Sequence, residues 1–489
     1  MKAKSLSILL IILILAFMLR FYRLDSNPPG LFKDEVVLGD MAYDLVKGCL
    51  GSFCTQSSLV FYGHDTYVPP LQVYSTALSI LVFGFSEFAV RLVPAVLGVL
   101  IVLSSFVLGR FLFNDSVGLL ASAFVAISPF HIVYSRLGFS QFFLMTLLFT
   151  IGIYLFFLGL GKRDSILLVS ALSFGLTFLS YYLSHIFIPL SLLGFYCLYY
   201  RELKQVGRWI ILPSFIILLG FFVSVAVPNP GLIVVPVPPA TFSDLASNLA
   251  EGLSSIILMK GNWYWPLNSI DFGIAYPVIL LFSIIGVFLL LKNGDSKSLI
   301  LVYWFALALV LGLSTSSPVV GSVRRAFTCA GPVVELIAAY GVYRILSSLK
   351  NRSALLLVSG LIALSLILGL FQFLQVYFVE MPRSIEVQKV FMTPIKEVFN
   401  YTESVRDEYD LIVFTSNFDT TLWPNSSLSF EDYRIFYTKR FSDGKYALEG
   451  SNNSGQKVLY IVRDFELANR TPEKTFHYSN GDVAYFAVI

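Results

Sequence analysis

The sequence predicts a mainly α-helical, polytopic membrane protein of about eleven transmembrane helices, with a small α/β domain at its C-terminal end. Three observations predict it. The 489 residues are 56% hydrophobic and 13% charged, with a mean hydropathy of +0.76, a balance foreign to soluble globular chains of this length. Apolar runs long enough to cross a bilayer core recur through residues 1–379. From about Glu380 onward charges, Asn and Ser rise, and short strand-like runs replace the long apolar ones. The net charge of +3 gives no basic face for nucleic acid.

The first run, Ser5–Met18, stands behind Lys2 and Lys4, lacks a small-residue cleavage site and continues into Arg20-Phe21-Tyr22-Arg23. It reads as a retained span and not as a signal peptide. Further spans centre near residues 100, 125, 150, 174, 192, 218, 283, 307, 335 and 366, the first near 13. Short loops at Arg110, Lys162-Arg163, Arg201–Arg208, Lys292–Lys297 and Arg344–Arg352 alternate as cytoplasmic turns should. With Lys2 and Lys4 they hold about thirteen basic residues, against about nine in the longer opposite loops. The N-terminus is therefore expected inside and the C-terminus outside. Counting Pro69–Phe85 as a span would invert every later loop, so it is placed as an interfacial or re-entrant helix. Two large external loops follow from this topology, residues 23–87 and 228–274. Residues 380–489 form the external α/β domain, with strands expected at Leu411–Thr415, Val458–Val462 and Val483–Ile489.

The chemistry gathers on the outer side. After the turn Asn27-Pro28-Pro29-Gly30 come the adjacent carboxylates Asp34 and Glu35, then a helix over Val36–Lys47. Val37, Met41 and Leu45 share one stripe, and Asp40 and Asp44 lie between stripes, which suits the membrane surface. Two readings stand side by side. Asp34 caps the helix and Glu35 offsets its dipole, or one of them works as a base; neighbours on a helix point about 100° apart, so one at most aims into a given site. His64 and Asp65 precede Tyr67-Val68-Pro69-Pro70, and His131, Tyr134 and Arg136 lie in the tight turn SPFHIVYSR. Trp263 and Tyr264 stand in GNWYWPLNS, and Arg324 and Arg325 in SSPVVGSVRRAF. Singly, each has a structural reading as a cap, a snorkelling cation or an interfacial aromatic. Together, cations at that depth suit a phosphate, and carboxylates suit proton acceptance. Cys197 and Cys329 lie inside spans as packing residues, whereas Cys49 and Cys54 lie in the first external loop, where an oxidising compartment lets them pair across Gly51.

These residues carry a resemblance. Arg20-x-Tyr22-x-Leu24 through Pro29-Gly30, Asp34-Glu35 and Gly39-x-x-Ala42 are followed by Asp65-x-x-x-Pro69-Pro70-Leu71. Then come Phe83-Gly84-x-Ser86-Glu87-x-Ala89-x-Arg91-Leu92-x-Pro94 and Ser128-Pro129-x-His131-x-x-x-Ser135-Arg136. In order and spacing the chain resembles the GT-C glycosyltransferases of the protein O-mannosyltransferase and aminoarabinose transferase type, close to a prokaryotic branch. The resemblance is strongest over residues 1–200, looser over 260–345, where Arg325, Gly331-Pro332 and Ala338-Ala339-Tyr340-Gly341 fit, and does not reach the C-terminal domain.

The resemblance implies a multi-pass protein of the plasma membrane with its site on the external face. It implies inverting transfer of a sugar from a polyprenyl-phosphate carrier, dolichyl-phosphate-mannose-like, to a hydroxyl on a protein, lipid or glycan. Asp34 is then the base with Glu35 secondary, and Arg136, Arg324 and Arg325 bind the donor phosphate. His64, Asp65, His131, Tyr134, Trp263 and Tyr264 line the substrates, with membrane lipids as partners. Many relatives carry an acidic residue shortly after the Ser-Arg pair, where this chain has Gln141 in LGFSQFF, which argues against a divalent metal held there. The Trp-Trp-Asp signature of oligosaccharyltransferases is absent. The rivals are a transporter or flippase of lipid-linked sugar, which would put ionisable residues at mid-span, and a non-catalytic relative that binds the same lipid. Glu335 is the main mid-span charge expected.

Overall fold

The structure, a computed structural model, describes residues 3–48, 61–63, 66–160, 164–205, 241–257, 273–313, 322–414, 436–439, 446–448, 457–462 and 472–488. The helices begin with α1 (Ala3–Phe21), α2 (Lys33–Val46), α3 (Pro70–Phe83), α4 (Glu87–Leu112), α5 (Asp115–Ile127) and α6 (Pro129–Ser135). They continue with α7 (Ser140–Gly159), α8 (Asp164–Phe178), α9 (Ser184–Leu198), α10 (Tyr200–Gln205), α11 (Phe242–Ile257) and α12 (Pro277–Asn293). The last are α13 (Ser296–Leu313), α14 (Ser322–Ala330), α15 (Val333–Ser348), α16 (Arg352–Gln375), α17 (Ile385–Val390) and α18 (Ile395–Ser404). Each expected span centre falls inside one of these helices except residue 218, which lies outside the described residues.

Length separates the spans. Among the described residues, α1, α4, α7, α13 and the run Arg352–Arg383 are long and apolar enough to cross a membrane. The pair α5 and α6 passes the same test together, bent by 55° at Ser128-Pro129. The segment read from sequence as a tight turn therefore contains the short helix α6, set at an angle to α5. Proline explains the break, because it starts α6 at its first position and disfavours helix at Ser128. Helices α3, α8, α9 and α12 are apolar but shorter. Local chemistry sets the ends. Asn114 accepts from the Val117 N–H at 3.0 Å to start α5, and Gly294, at φ +67°, closes α12. Glu87 and Arg110 stand at the ends of α4 that complement its dipole. Where α12 meets α15 the backbones touch: a Cβ on Gly286 would collide with the Ile337 carbonyl, and one on Gly341 with that of Phe282.

The chain falls into two compact units. The first comprises Met1–Tyr22, Pro69–Gln72 and Val93–Val376, and holds the long apolar helices. Its surface is the apolar face expected of a span toward lipid, as on α16, where Leu356, Leu361, Ile367 and Phe371 are exposed. Cys197 also lies on an exposed surface and not in the packing role expected of it, while Cys329 is buried. Glu335 lies in the first turn of α15, not at mid-helix.

The second unit joins Arg23–Val68, Val73–Leu92 and Tyr377–Ile489. The sequence boundary at 379/380 is thus close in the chain, yet the first loop belongs to the same unit as the C-terminal residues. Its sheet holds β3 (Leu411–Phe414), β4 (Tyr446–Leu448), β5 (Val458–Val462), β6 (Pro472–His477) and β7 (Val483–Val488), after a hairpin of β1 (Phe61–Gly63) and β2 (Thr66–Val68). The order is β4-β3-β5-β7-β6, parallel about β3 and antiparallel about β7. The core against one face of the sheet includes Val398, Ile412 and Leu459, and also Val36 and Met41 of α2 and Ile80 of α3. Helix α2 differs from the surface helix expected. Asp40 and Asp44 are fully buried, and Phe436 and Phe85 pack against Gly39 on the same helix.

Candidate active site at the first helix after the N-terminal span

The turn before α2 brings the chain back on itself, with Gly30 at φ +79°, a conformation that favours glycine. Phe32 is the residue that caps α2, and its side chain has no acceptor. Glu35, three positions on, supplies the missing acceptor: its Oε2 takes the Phe32 N–H at 2.9 Å. Asp34 therefore sits second in the helix, not at the cap that the sequence suggests.

Arg91 engages one of the two carboxylates. It enters from the first turns of α4, fully buried, and its Nε and Nη2 hold Glu35 Oε1 and Oε2 at 2.8 and 3.1 Å. Its Nη1 donates to the carbonyls of Pro28 at 2.9 Å and Leu24 at 3.3 Å, and Nη2 donates also to that of Gly30. A guanidinium has five N–H donors, and five bonds account for all of them. Glu35 is thereby committed to a buried, two-pronged ion pair that ties α2 to α4 and to the turn. Asp34, half-buried on the next position, stands outside that pair.

The other expected site residues are scattered differently. Arg136 is fully buried, and its Nη1 donates to the Leu19 and Arg20 carbonyls at 3.2 and 2.9 Å, its Nη2 to that of Tyr22 at 2.7 Å. It caps the C-terminal carbonyls of α1, which have no partner inside their own helix. This guanidinium is engaged with the backbone, where the sequence expected a phosphate contact. Arg20 does the same for the end of α5, donating to Val125 and Ala126 at 3.2 and 3.1 Å. His131 is buried too, its Nε2 3.6 Å from Glu335 Oε1, between the rings of Phe130 and Phe143. Tyr134 is buried among Phe130 and Phe142.

Arg325, by contrast, is half-buried at the start of α14, and its Nε donates to the Tyr182 hydroxyl at 3.3 Å. That hydroxyl is 3.1 Å from the Tyr181 hydroxyl. The side chain of Arg324, and His64, Asp65, Trp263, Tyr264, Cys49 and Cys54, lie outside the described residues. Among the described residues no three His, Cys, Asp or Glu side chains come together as a metal site. Sequence reasoning missed Arg91 and Tyr182 as site residues. Arg91 left two signals, its place in the motif that carries the resemblance and its charge near the start of an apolar helix.

This architecture matches solved structures. ArnT from Cupriavidus metallidurans, in the apo state, aligns with 99% of this chain and 97% of its own at a TM-score of 0.60 and 11% identity. The chain has the GT-C fold. ArnT bound to undecaprenyl phosphate aligns with 100% of the chain and 98% of its own, at a TM-score of 0.58 and 10% identity. The GT-C neighbours also include the oligosaccharyltransferase AglB of Archaeoglobus fulgidus, solved with an inhibitory peptide and a dolichol-phosphate. That match has a TM-score of 0.52 and 15% identity, over 86% of this chain and 63% of AglB. The sequence profile of the family described as dolichyl-phosphate-mannose-protein mannosyltransferase matches residues 67–227. No curated protein matches the chain by sequence.

Proposed function

We propose that this protein is a membrane glycosyltransferase that moves a sugar from a polyprenyl-phosphate-linked donor to a hydroxyl-bearing acceptor. The site faces the outside of the cell, and the acceptor is a protein, lipid or glycan. The observation that carries the mechanism is the full use of Arg91. With its five donors spent on Glu35 and three carbonyls, Glu35 is a strut and Asp34 is the base. The lipid-bound ArnT and AglB structures support the class of donor.

The chemistry follows from the parts. An acceptor hydroxyl is a poor nucleophile until a carboxylate takes its proton as the new bond forms. Its oxygen attacks the anomeric carbon from the face opposite the phosphate. The bond from that carbon to the phosphate oxygen breaks with its electron pair, and the configuration inverts. Asp34 holds the proton, and the polyprenyl phosphate leaves as an anion that a guanidinium can stabilise. Arg325 is that guanidinium, with Arg324 beside it in sequence.

Asp34→Asn keeps the shape of the side chain and removes its basicity. Transfer from a polyprenyl-phosphate sugar, measured at matched protein level, is expected to fall by a factor on the order of 10²–10⁴. The melting temperature should stay where it is. Undiminished turnover in Asp34→Asn would refute the assignment of the base.

A further inference from the structure

The turn that presents Asp34 is held from two directions, and only one of them is Arg91. The second comes from the segment that opens the C-terminal part of the chain. Thr393 Oγ1 donates to the carbonyl of Pro29 at 2.9 Å. A Cβ on Gly30 would collide with the Phe391 carbonyl and lie 3.2 Å from the Thr393 Cα, so the two backbones are in direct contact. The buried ring of Phe391 lies 6.2 Å from that of Phe32, which caps α2. Between them Met392 is held at φ +48°, a left-handed conformation that a side chain accepts only when its surroundings impose it. One turn further on, Lys396 Nζ pairs with Glu87 Oε2 at 2.9 Å, at the start of the helix that carries Arg91. Tyr437 adds its hydroxyl to the other Glu87 oxygen at 3.3 Å.

We infer that residues 391–396 are a brace for the catalytic turn, and that Thr393 is a positioning residue for Asp34. This rests on the reading of Asp34 as the base. The physical reason is the tolerance of proton transfer. A carboxylate must sit within hydrogen-bond reach of the hydroxyl it deprotonates, and an error of about 1 Å costs up to about 10²-fold. Arg91 gathers the Leu24, Pro28 and Gly30 carbonyls, and Pro29, which lies between Pro28 and Gly30, is the one that Thr393 takes. The C-terminal domain thereby acquires a task in the reaction without touching substrate.

The test uses the full-length protein in lipid nanodiscs and three variants. Thr393→Val keeps shape and removes the donor; Thr393→Ser restores it; Asp34→Asn removes the base. In Thr393→Val kcat is expected to fall about tenfold, with KM for the donor within about twofold and an unchanged melting temperature. Hydrogen exchange in the amides of residues 31–37 should quicken. Thr393→Ser should restore both readouts. Because Thr393 acts through Asp34, the tenfold factor should vanish when Thr393→Val is added to Asp34→Asn in single-turnover assays. A folded Thr393→Val with wild-type kcat overturns the brace and leaves the base intact. So does a factor that persists in the Asp34→Asn background, which would place the action of Thr393 elsewhere. If Thr393→Val does not fold, Thr393→Ala, which removes the same donor without added bulk, carries the same comparison against Thr393→Ser. Full activity in Asp34→Asn itself is the separate result that ends the reading on which the inference rests.

Discussion

Arg91 and Glu35 are alike in charge to many surface pairs, yet burial changes what they are worth. Both side chains are fully shielded, and removing one partner leaves the other as an uncompensated charge. Arg91→Ala or Glu35→Gln is therefore expected to cost about 3–5 kcal/mol of stability, read as a large drop in melting temperature. Asp34→Asn should lose transfer with no such drop, and that contrast separates strut from base. Glu35→Gln retaining wild-type stability would undo the assignment. The donor phosphate allows a parallel experiment. Arg325→Ala is expected to raise KM for the donor about tenfold or more, since charged hydrogen bonds contribute about 1.5–3 kcal/mol. Arg325→Lys should recover part of this, and Tyr182→Phe should shift KM in the same direction by less. Arg136→Ala should instead lower stability and leave donor KM alone. The sequence displays the Asp34-Glu35 pair but cannot show which member is ion-paired, because Arg91, the partner of Glu35, is far away in the chain. It also cannot tell a guanidinium that caps carbonyls from one that does not; Arg136 is fully buried on three backbone carbonyls, whereas Arg325 is half-buried against the Tyr182 hydroxyl.

At the level of elements, apolar runs and proline were legible and partners were not. The span centres land in helices because side-chain hydropathy over a helix length needs no tertiary information. The surface reading of α2 failed for the opposite reason. Its alternating Asp40 and Asp44 look like a wet face, yet both are fully buried in the tertiary structure, and no local pattern announces that. The break at Ser128-Pro129 is visible as a proline, but proline both ends a helix and begins one, so the sequence alone suggests a tight turn where α6 forms. Glycine at helix contacts is a case where the structure makes a sharp forecast. At Gly286 any side chain would meet the Ile337 backbone, which cannot swing aside as a long side chain can. Gly286→Val is expected to part α12 from α15 and to lower the melting temperature by several degrees. At Gly360, where nothing lies within 4 Å of an added Cβ, Gly360→Ala should be neutral or slightly stabilising. Equal melting temperatures for the Gly286 variant and wild type would mean that the two helices are not in backbone contact.

At the scale of the whole molecule, membership of one compact unit constrains the topology. Residues 23–68 and 377–489 share a core, so they must lie on the same side of the membrane. Between them the sequence expects ten spans, an even number, which returns the chain to the side it left. Counting α3 as an eleventh crossing would put the two on opposite sides. Its 14 residues rise only about 21 Å against a hydrocarbon core of about 30 Å, and Val73, Ala77 and Ile80 are buried in the core of that same unit. Its other face, with Leu78, Leu81 and Val82 exposed, suits a helix resting against lipid. An even span count is thus expected to keep the two segments on one side, and the basic short loops predict that this side is the outside. Single cysteines at Gly48 and Gly481, in a background with the native cysteines replaced, make this testable with a membrane-impermeant maleimide on intact cells. Both are expected to label without permeabilisation. Labelling of both only after permeabilisation would reverse the orientation and keep the parity. Labelling of one alone would break the parity, and with it either the span count or the shared core.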